Sequence, residues 1–444
     1  MERRSKVDWL LTGGLVLTLD KAGRQFEEGA VAVRGAEIVA VGPRAEVAAA
    51  VEPVETLDVS GAVVMPGLVN AHSHIPMTIF RGVADDLPLE AWLARIWKLE
   101  LAYATAENVR VGAQLAFAEM LRSGTTTVSD MYWHRDVVTE VALEVGFRLQ
   151  NGPSFLDFVG PDGISPANRM RLAREYLNHY RNDPLISLAV QAHSTYTVPP
   201  KLLAQCRDLA AEYEAQFVTH AAETAAEVAL VQERYGQTPV ELLDELGLLG
   251  PRTLLAHGVH LRDDEIALLA ERGAAVVHCP ESNLKLGSGI ARVPALLAAG
   301  VPVGLGTDGA ASNNDLDMWG EMRTAALLQK GVHEDPTVLP AREVLRMATS
   351  GSARALGLQA EIGSLEVGKL ADLIVVDLDA LHALPRYDIY SHLVYAANRS
   401  DVRTVFINGR PVMRDRVLLT LDEEVIKERV RVVQKLVQNP KSKV

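Results

Sequence analysis

A chain of 444 residues, 48% hydrophobic and 23% charged, has the composition of a folded globular protein and the length for one large domain with a smaller companion. Its formal net charge of −13 argues against a general nucleic-acid binder, which needs a basic face to neutralise phosphates. No apolar run is long enough to span a bilayer, and two cysteines, Cys206 and Cys279, make no disulfide framework.

The opening stretch "MERRSKVDWLLTGG" is charged, and its apolar part is too short for a signal-peptide core, so a cytoplasmic protein is expected. Residues 1–65 read as short β segments, "LLTGGLVLTLD", "GAVAVRGAEIVAVGP" and "VETLDVSGAVVMPG", broken by Gly and Pro. From Pro66 the texture changes. Short apolar runs alternate with segments of helical period such as "TAENVRVGAQLAFAEMLRSG" and "KLLAQCRDLAAEY", which carries Cys206. Near Gly363 the β texture returns in "GSLEVGKLADLIVVDLD" and "DVRTVFINGRPVMRDRV". The tail from Asp422 reads as a helix with a frayed end, "NPKSKV". This order predicts a (β/α)8 TIM-like barrel over residues 66–362. Beside it, residues 1–65 and 363–444 form a small β-sandwich domain from both chain ends, with the tail helix appended.

The ends of the apolar runs carry the functional signal. "GAVVMPGLVNAHSH" ends in His72 and His74, "GTTTVSD" in Asp130, "LISLAVQAH" in His193 and "AQFVTH" in His220. "RTLLAH" ends in His257, "GAAVVH" in His278 and "VPVGLGTD" in Asp308. In such barrels the chemistry sits at the C-terminal strand ends, contributed by several strands. Chance placement of 12 histidines does not produce this pattern.

A metal site accounts for it. His72 and His74 lie two residues apart, on one face of an extended strand. His220 supplies a third nitrogen and Asp308 a carboxylate oxygen. Three neutral imidazoles and one carboxylate leave a divalent site at +1, suited to activating a water. No lysine near the end of "LISLAVQAHS" offers a second metal its bridge, so one ion per chain is expected. Glu223, three residues after His220, is placed to move a proton. His257 is placed to hold the attacking oxygen, and Asp308 doubles as a base. Taken singly, each has an ordinary reading: core histidines for His278 and His260, a helix start for Glu223, turn chemistry for Asp308. Their shared position at successive strand ends favours the metal.

The stretches "PGLVNAHSHIPMTIFRGVADDLPLEAWL", "HAAE", "LLAHGVHL", "HCPESNLKLGSGIARVPALLAAG" and "GLGTDGAASNNDLDMWGEMRTAALLQKG" resemble the amidohydrolase superfamily. More narrowly, they resemble its 5′-methylthioadenosine/S-adenosylhomocysteine deaminases. The resemblance implies zinc on His72, His74, His220 and Asp308, with Glu223 and His257 handling protons. It also implies Glu100 on the ribose hydroxyls, His193 on the purine and Glu223 in contact with the substrate. Iron or manganese would fit the same ligands. The implied reaction replaces the 6-amino group of an adenine nucleoside with oxygen; a triazine, guanine or other ring aminohydrolase is the alternative. A homo-oligomer is expected, with no nucleic-acid or membrane partner. The family is expected to offer arginines to the homocysteine carboxylate. Here Pro153 and Ser154 stand where one is sought, leaving Arg148, Arg169 and Arg171 as candidates.

Overall fold

Eight short strands surround the centre of the molecule: β1 (Leu68–Ser73), β2 (Thr125–Asp130), β3 (Arg148–Asn151), β4 (Ile186–Ser194), β5 (Gln216–Ala221), β6 (Thr253–His257), β7 (Ala275–His278) and β8 (Val303–Leu305). The computed structural model describes residues 4–438, so the frayed end expected at "NPKSKV" lies outside the described residues. Each strand pairs in parallel with the next. A parallel bridge from Ser73 to Asp308 brings the segment after β8 back to β1 and closes the ring. The strands are buried throughout or nearly so, as parallel strands covered by helices must be. This is the expected (β/α)8 barrel.

Two details differ from the expectation. "GAVVMPGLVNAHSH" is two strands in two sheets: Ala62–Pro66 pairs with Leu373–Asp377, whereas Leu68–Ser73 is β1. The chain changes sheets at Gly67, where a Cβ would stand 2.1 Å from Thr126 Oγ1, so only glycine permits the approach. The apolar runs also give no mark of β3, which ends in Asn151 instead of a histidine or aspartate.

Beside the barrel, strands 37–43, 29–34, 5–12 and 51–58 form a four-stranded sheet in that order. A second sheet runs 417–418, 410–414, 402–407, 373–377, 62–66, 15–17 and 25–26, so it interleaves both chain ends. Leu11, Val31 and Ile38 from the first sheet share a core with Val64, Val375 and Phe406 from the second. The tail helix, Glu423–Gln438, is held to the helix Ala106–Arg122 by the pair Arg122–Glu423. Among the described residues no helix is long and apolar enough to cross a membrane.

Arg148 does not face the barrel mouth. Its Nε donates to Asp372 Oδ2 at 2.6 Å and its Nη1 to the Pro184 carbonyl at 2.8 Å, which ties β3 to the sandwich sheet. Both partners of this ion pair are 2% exposed at the side chain. Arg148→Met leaves a buried carboxylate without its cation. We expect it to lower unfolding stability by about 3–5 kcal/mol, read as a lower urea midpoint, while Arg148→Met with Asp372→Asn recovers part of that loss.

Candidate active site

His72 is buried inside β1, and His74 follows one residue past its end. A register shift between Asn70 and Ser73 helps bring the two rings together. Their Nε2 atoms stand 3.4 and 3.1 Å from Asp308 Oδ1, just beyond β8. His220, on β5, places Nε2 3.1 Å from that of His72 and 3.3 Å from that of His74. One ligand atom from each of these four residues lies within 4.8 Å of the others.

The outward ring nitrogens decide what this cluster can hold. His74 Nδ1 meets the Met131 carbonyl at 2.5 Å, and His220 Nδ1 meets the His193 carbonyl at 2.6 Å. A carbonyl only accepts, so each Nδ1 carries a proton, and in the neutral ring that a metal requires each Nε2 turns a bare lone pair inward. Facing lone pairs beside a buried carboxylate suit a cation, and three nitrogens with one oxygen match a zinc site that keeps a position for water. Burial and the neighbouring imidazoles hold His220 far below the usual histidine range, in the neutral form a metal needs. Burial opposes ionisation of Asp308, but the His72 and His74 rings against Oδ1 outweigh it and keep the carboxyl well below its ordinary range.

Around the cluster sit the groups expected to handle protons. Glu223, 7% exposed, accepts from Ser288 Oγ at 3.3 Å and lies 3.8 Å from His257 Nε2. Burial raises its carboxyl above the usual range, against the pull of His257. His257 turns Nδ1 to Asn283 Oδ1 at 2.8 Å, so that nitrogen donates and Nε2 faces the cluster. Burial works against charge on His257, yet Glu223 and Asp308 outweigh it and raise its pKa. Asp308 Oδ2 accepts from Ser282 and Ser312, each at 2.6 Å, which fixes the plane of the carboxylate. His257 and Asp308 also adopt φ of 74° and 58°, left-handed values that cost non-glycine residues about 1–3 kcal/mol each and gather at functional sites.

The cavity over the cluster is walled by Trp92, Trp97, Tyr132, Trp133 and Tyr196. Helix α1 (Leu89–Tyr103) covers it, burying Trp92, Ile96, Glu100 and Tyr103 at helical spacing. Glu100 is therefore on the inward face. Its Oε2 accepts from Trp133 Nε1 at 3.2 Å; its buried Oε1 closes no hydrogen bond of full geometry, and the Tyr132 hydroxyl acts on the same carboxyl. Burial pushes this carboxyl up to about 7. His193, at the end of β4, also lines the cavity, its Nδ1 2.9 Å from Thr197 Oγ1. Burial, then the cluster histidines, lower it to about 3, so it is neutral.

The structure thus brings together all eight residues singled out from the sequence. It does not bring in the arginines. Arg169 is buried against Asp162 at 2.8 Å, Arg171 pairs with Glu175 on an exposed face at 2.6 Å, and Arg148 serves the sandwich. No lysine or arginine lines the cavity among the described residues. His278 is a buried core histidine, lowered to about 3 by burial, and His260 Nε2 donates to the Ser288 carbonyl, 2.7 Å away. Sequence reasoning passed over Ser282, Asn283 and Ser312, whose hydrogen bonds fix Asp308 and His257. They lie inside "HCPESN" and "TDGAASNN", both already marked as family-like.

Residues 63–412 match the model of the amidohydrolase family. The chain is 51% identical over 435 residues to a 5-methylthioadenosine/S-adenosylhomocysteine deaminase of Syntrophobacter fumaroxidans, covering 98% of this chain and 99% of that one. It is 44% identical to an adenosine deaminase from Xanthomonas campestris solved with bound zinc, at a TM-score of 0.96 and 98% and 100% coverage. An atrazine chlorohydrolase from Arthrobacter aurescens, complexed with zinc, is 27% identical with a TM-score of 0.88 and 96% and 100% coverage.

Proposed function

The chain belongs to the amidohydrolase family, and we propose that it catalyses zinc-dependent hydrolytic deamination of an adenine nucleoside. The substrate class is 5′-methylthioadenosine, S-adenosylhomocysteine or adenosine, and the products are the inosine analogue and ammonia. The observation that carries the reading is Glu100: a buried carboxylate in the same cavity as the three-histidine cluster and Glu223. A pair of ribose hydroxyls supplies two adjacent donors to one carboxylate; a triazine or a bare base has no such hydroxyl pair.

His72, His74, His220 and Asp308 would hold the ion. When bound, it supplies Lewis acidity that brings the pKa of a coordinated water from ~15.7 towards ~7. Asp308 accepts the proton of the attacking water as oxygen bonds to the ring carbon bearing the amine. Glu223 gives its proton to the adjacent ring nitrogen, so the ring accepts electrons without a full negative charge. His257, fixed by Asn283, hydrogen-bonds the oxygen at the tetrahedral stage. The proton on Asp308 passes to the amine, the carbon–nitrogen bond breaks and ammonia leaves. As the carbonyl forms, its hydroxyl proton returns to Glu223. The aromatic walls exclude other water meanwhile. His193 binds the purine as a neutral ring, and Glu223 both binds and protonates it.

Ammonia release and loss of adenine absorbance on a panel of adenosine, methylthioadenosine, S-adenosylhomocysteine, guanine, cytosine and a triazine test the assignment. Chelator-sensitive turnover of nucleosides, restored by zinc, is the expected result; turnover of the triazine, cytosine or guanine alone would overturn it. With no cation in the cavity wall, methylthioadenosine is expected to rank above S-adenosylhomocysteine.

Glu100 has its own signature. Glu100→Gln keeps the shape but loses one acceptor, so KM for the nucleoside should rise about tenfold with kcat little changed. Because the carboxyl sits near 7, the carboxylate is lost as pH falls through that value. KM should therefore climb between pH 8 and pH 6 in the wild type and stay flat in Glu100→Gln.

A cytosolic site of action is part of this proposal, supported by two buried, unpaired cysteines. So is a homo-oligomer with only small-molecule substrates as partners, which light scattering on the purified chain would test.

A further inference from the structure

Helix α2 (Ala225–Tyr235) starts from Thr224 in a Thr-x-x-Glu sequence. That sequence ordinarily closes on itself: the hydroxyl accepts from the glutamate N–H, and the glutamate accepts from the threonine N–H. Thr238 and Glu241 do so elsewhere in the chain, at 3.2 and 2.8 Å, with Glu241 at the surface. Thr224 and Glu227 make only half of the arrangement, Glu227 N–H donating to Thr224 Oγ1 at 3.1 Å. The Glu227 carboxylate reaches past Thr224. It accepts from the N–H of Glu223 at 2.7 Å and from that of Ala222 at 3.3 Å.

The diversion is costly. Glu227 is 5% exposed, and no lysine or arginine stands among its partners in the described residues. Burial, and then Glu223 beside it, push its carboxyl up to about 7. A capping glutamate left in water avoids both penalties. What the diversion secures is the turn after β5. Ala222 there has φ of 54°, and its carbonyl accepts from Val259 and His260 N–H, each at 2.9 Å, in the segment after His257. The main chain of Glu223 is thus anchored on one side by Glu227 and on the other by the end of β6.

We propose that Glu227 is a positioning residue for Glu223, clamping the peptides of Ala222 and Glu223 so that the Glu223 carboxyl faces Ser288 and His257. It lies outside the lining of the cavity and outside the four-residue metal cluster. The inference rests on the proton-carrying role of Glu223 proposed above.

E227Q offers one acceptor and one donor to two N–H groups, so one of them meets an amide nitrogen and the turn tilts. We expect kcat to fall by ~10–100-fold, as for other orienting partners of working groups. KM should stay within about threefold, with metal content and melting temperature close to wild type. The decisive comparison is the cycle with E223Q: if Glu227 acts through Glu223, adding E227Q to E223Q costs less than about threefold. Wild-type turnover in E227Q overturns the assignment, as does an equal loss in the E223Q background. A fall in kcat that tracks lost metal or lost melting temperature also overturns it, as general scaffolding. Should E227Q not fold, E227D is read by the same criteria, its two acceptors drawn back by one methylene. If E223Q itself turns over normally, the reading of Glu223 fails; if E223Q is impaired and E227Q is not, only the inference about Glu227 fails.

Discussion

Asp308→Ala lowers kcat/KM for the nucleoside by more than roughly 10⁴-fold, and metal content drops from one ion per chain. The size follows from how much one side chain does. Asp308 is the only anion among the four clustered groups, so its loss raises the charge of an occupied site from +1 to +2 and weakens binding. Without Lewis acidity, water reverts to a pKa of ~15.7. The same change removes the group that takes the water proton, and it strands the hydroxyls of Ser282 and Ser312, which donate to Oδ2. Metal analysis alongside steady-state rates checks this. Asp308→Asn keeps the volume and the shape but not the charge, so it separates packing from electrostatics and should be nearly as damaged. An Asp308→Ala protein within tenfold of wild type, or one whose activity ignores chelators, would sink the proposed ligand set.

Glu223→Gln should cut kcat by ~10²–10⁴-fold while the metal stays at one per chain and KM moves only a few-fold. The group is outside the ligand cluster, and Ser288 Oγ can still donate to the amide oxygen. What is lost is a proton that can leave and return. The sign of the pH dependence follows from its environment. Burial holds Glu223 protonated above its ordinary range, so the acid is present at lower pH and disappears as pH rises through the raised pKa. The wild-type kcat/KM profile should therefore fall on its alkaline limb, and Glu223→Gln should lack that limb. Survival of the limb in the variant would assign it to another group, and His257 would be the first to test, since its own pKa is raised by Glu223.

The strand-end pattern was legible because barrel chemistry collects where strands stop, and seven of the eight strands announced themselves by a terminal polar residue or an apolar body. β3 did not. Its end, Asn151, serves the packing of the barrel wall, with Nδ2 donating to Thr139 Oγ1 at 3.2 Å. Glu100 lay in between. Its spacing from Trp92 and Ile96 puts it on an apolar helix face, a readable signal, but only the fold brings that face over the strand ends.

By itself, the sequence determined the barrel, the alternation that builds it and the identity of the side chains at its mouth. Those depend on local period and on residue type, both of which survive without coordinates. Tertiary structure alone decided which atoms meet. The Nε2 atoms of His74 and His220 turn inward because distant carbonyls at Met131 and His193 take the protons of their outer nitrogens. Arg148 leaves the substrate for Asp372, 224 residues away, and Glu227 leaves its own helix cap for the backbone of Glu223. A hydrogen-bond partner far along the chain has no period and no motif, because it is chosen by the packing that brings the two groups within 3 Å.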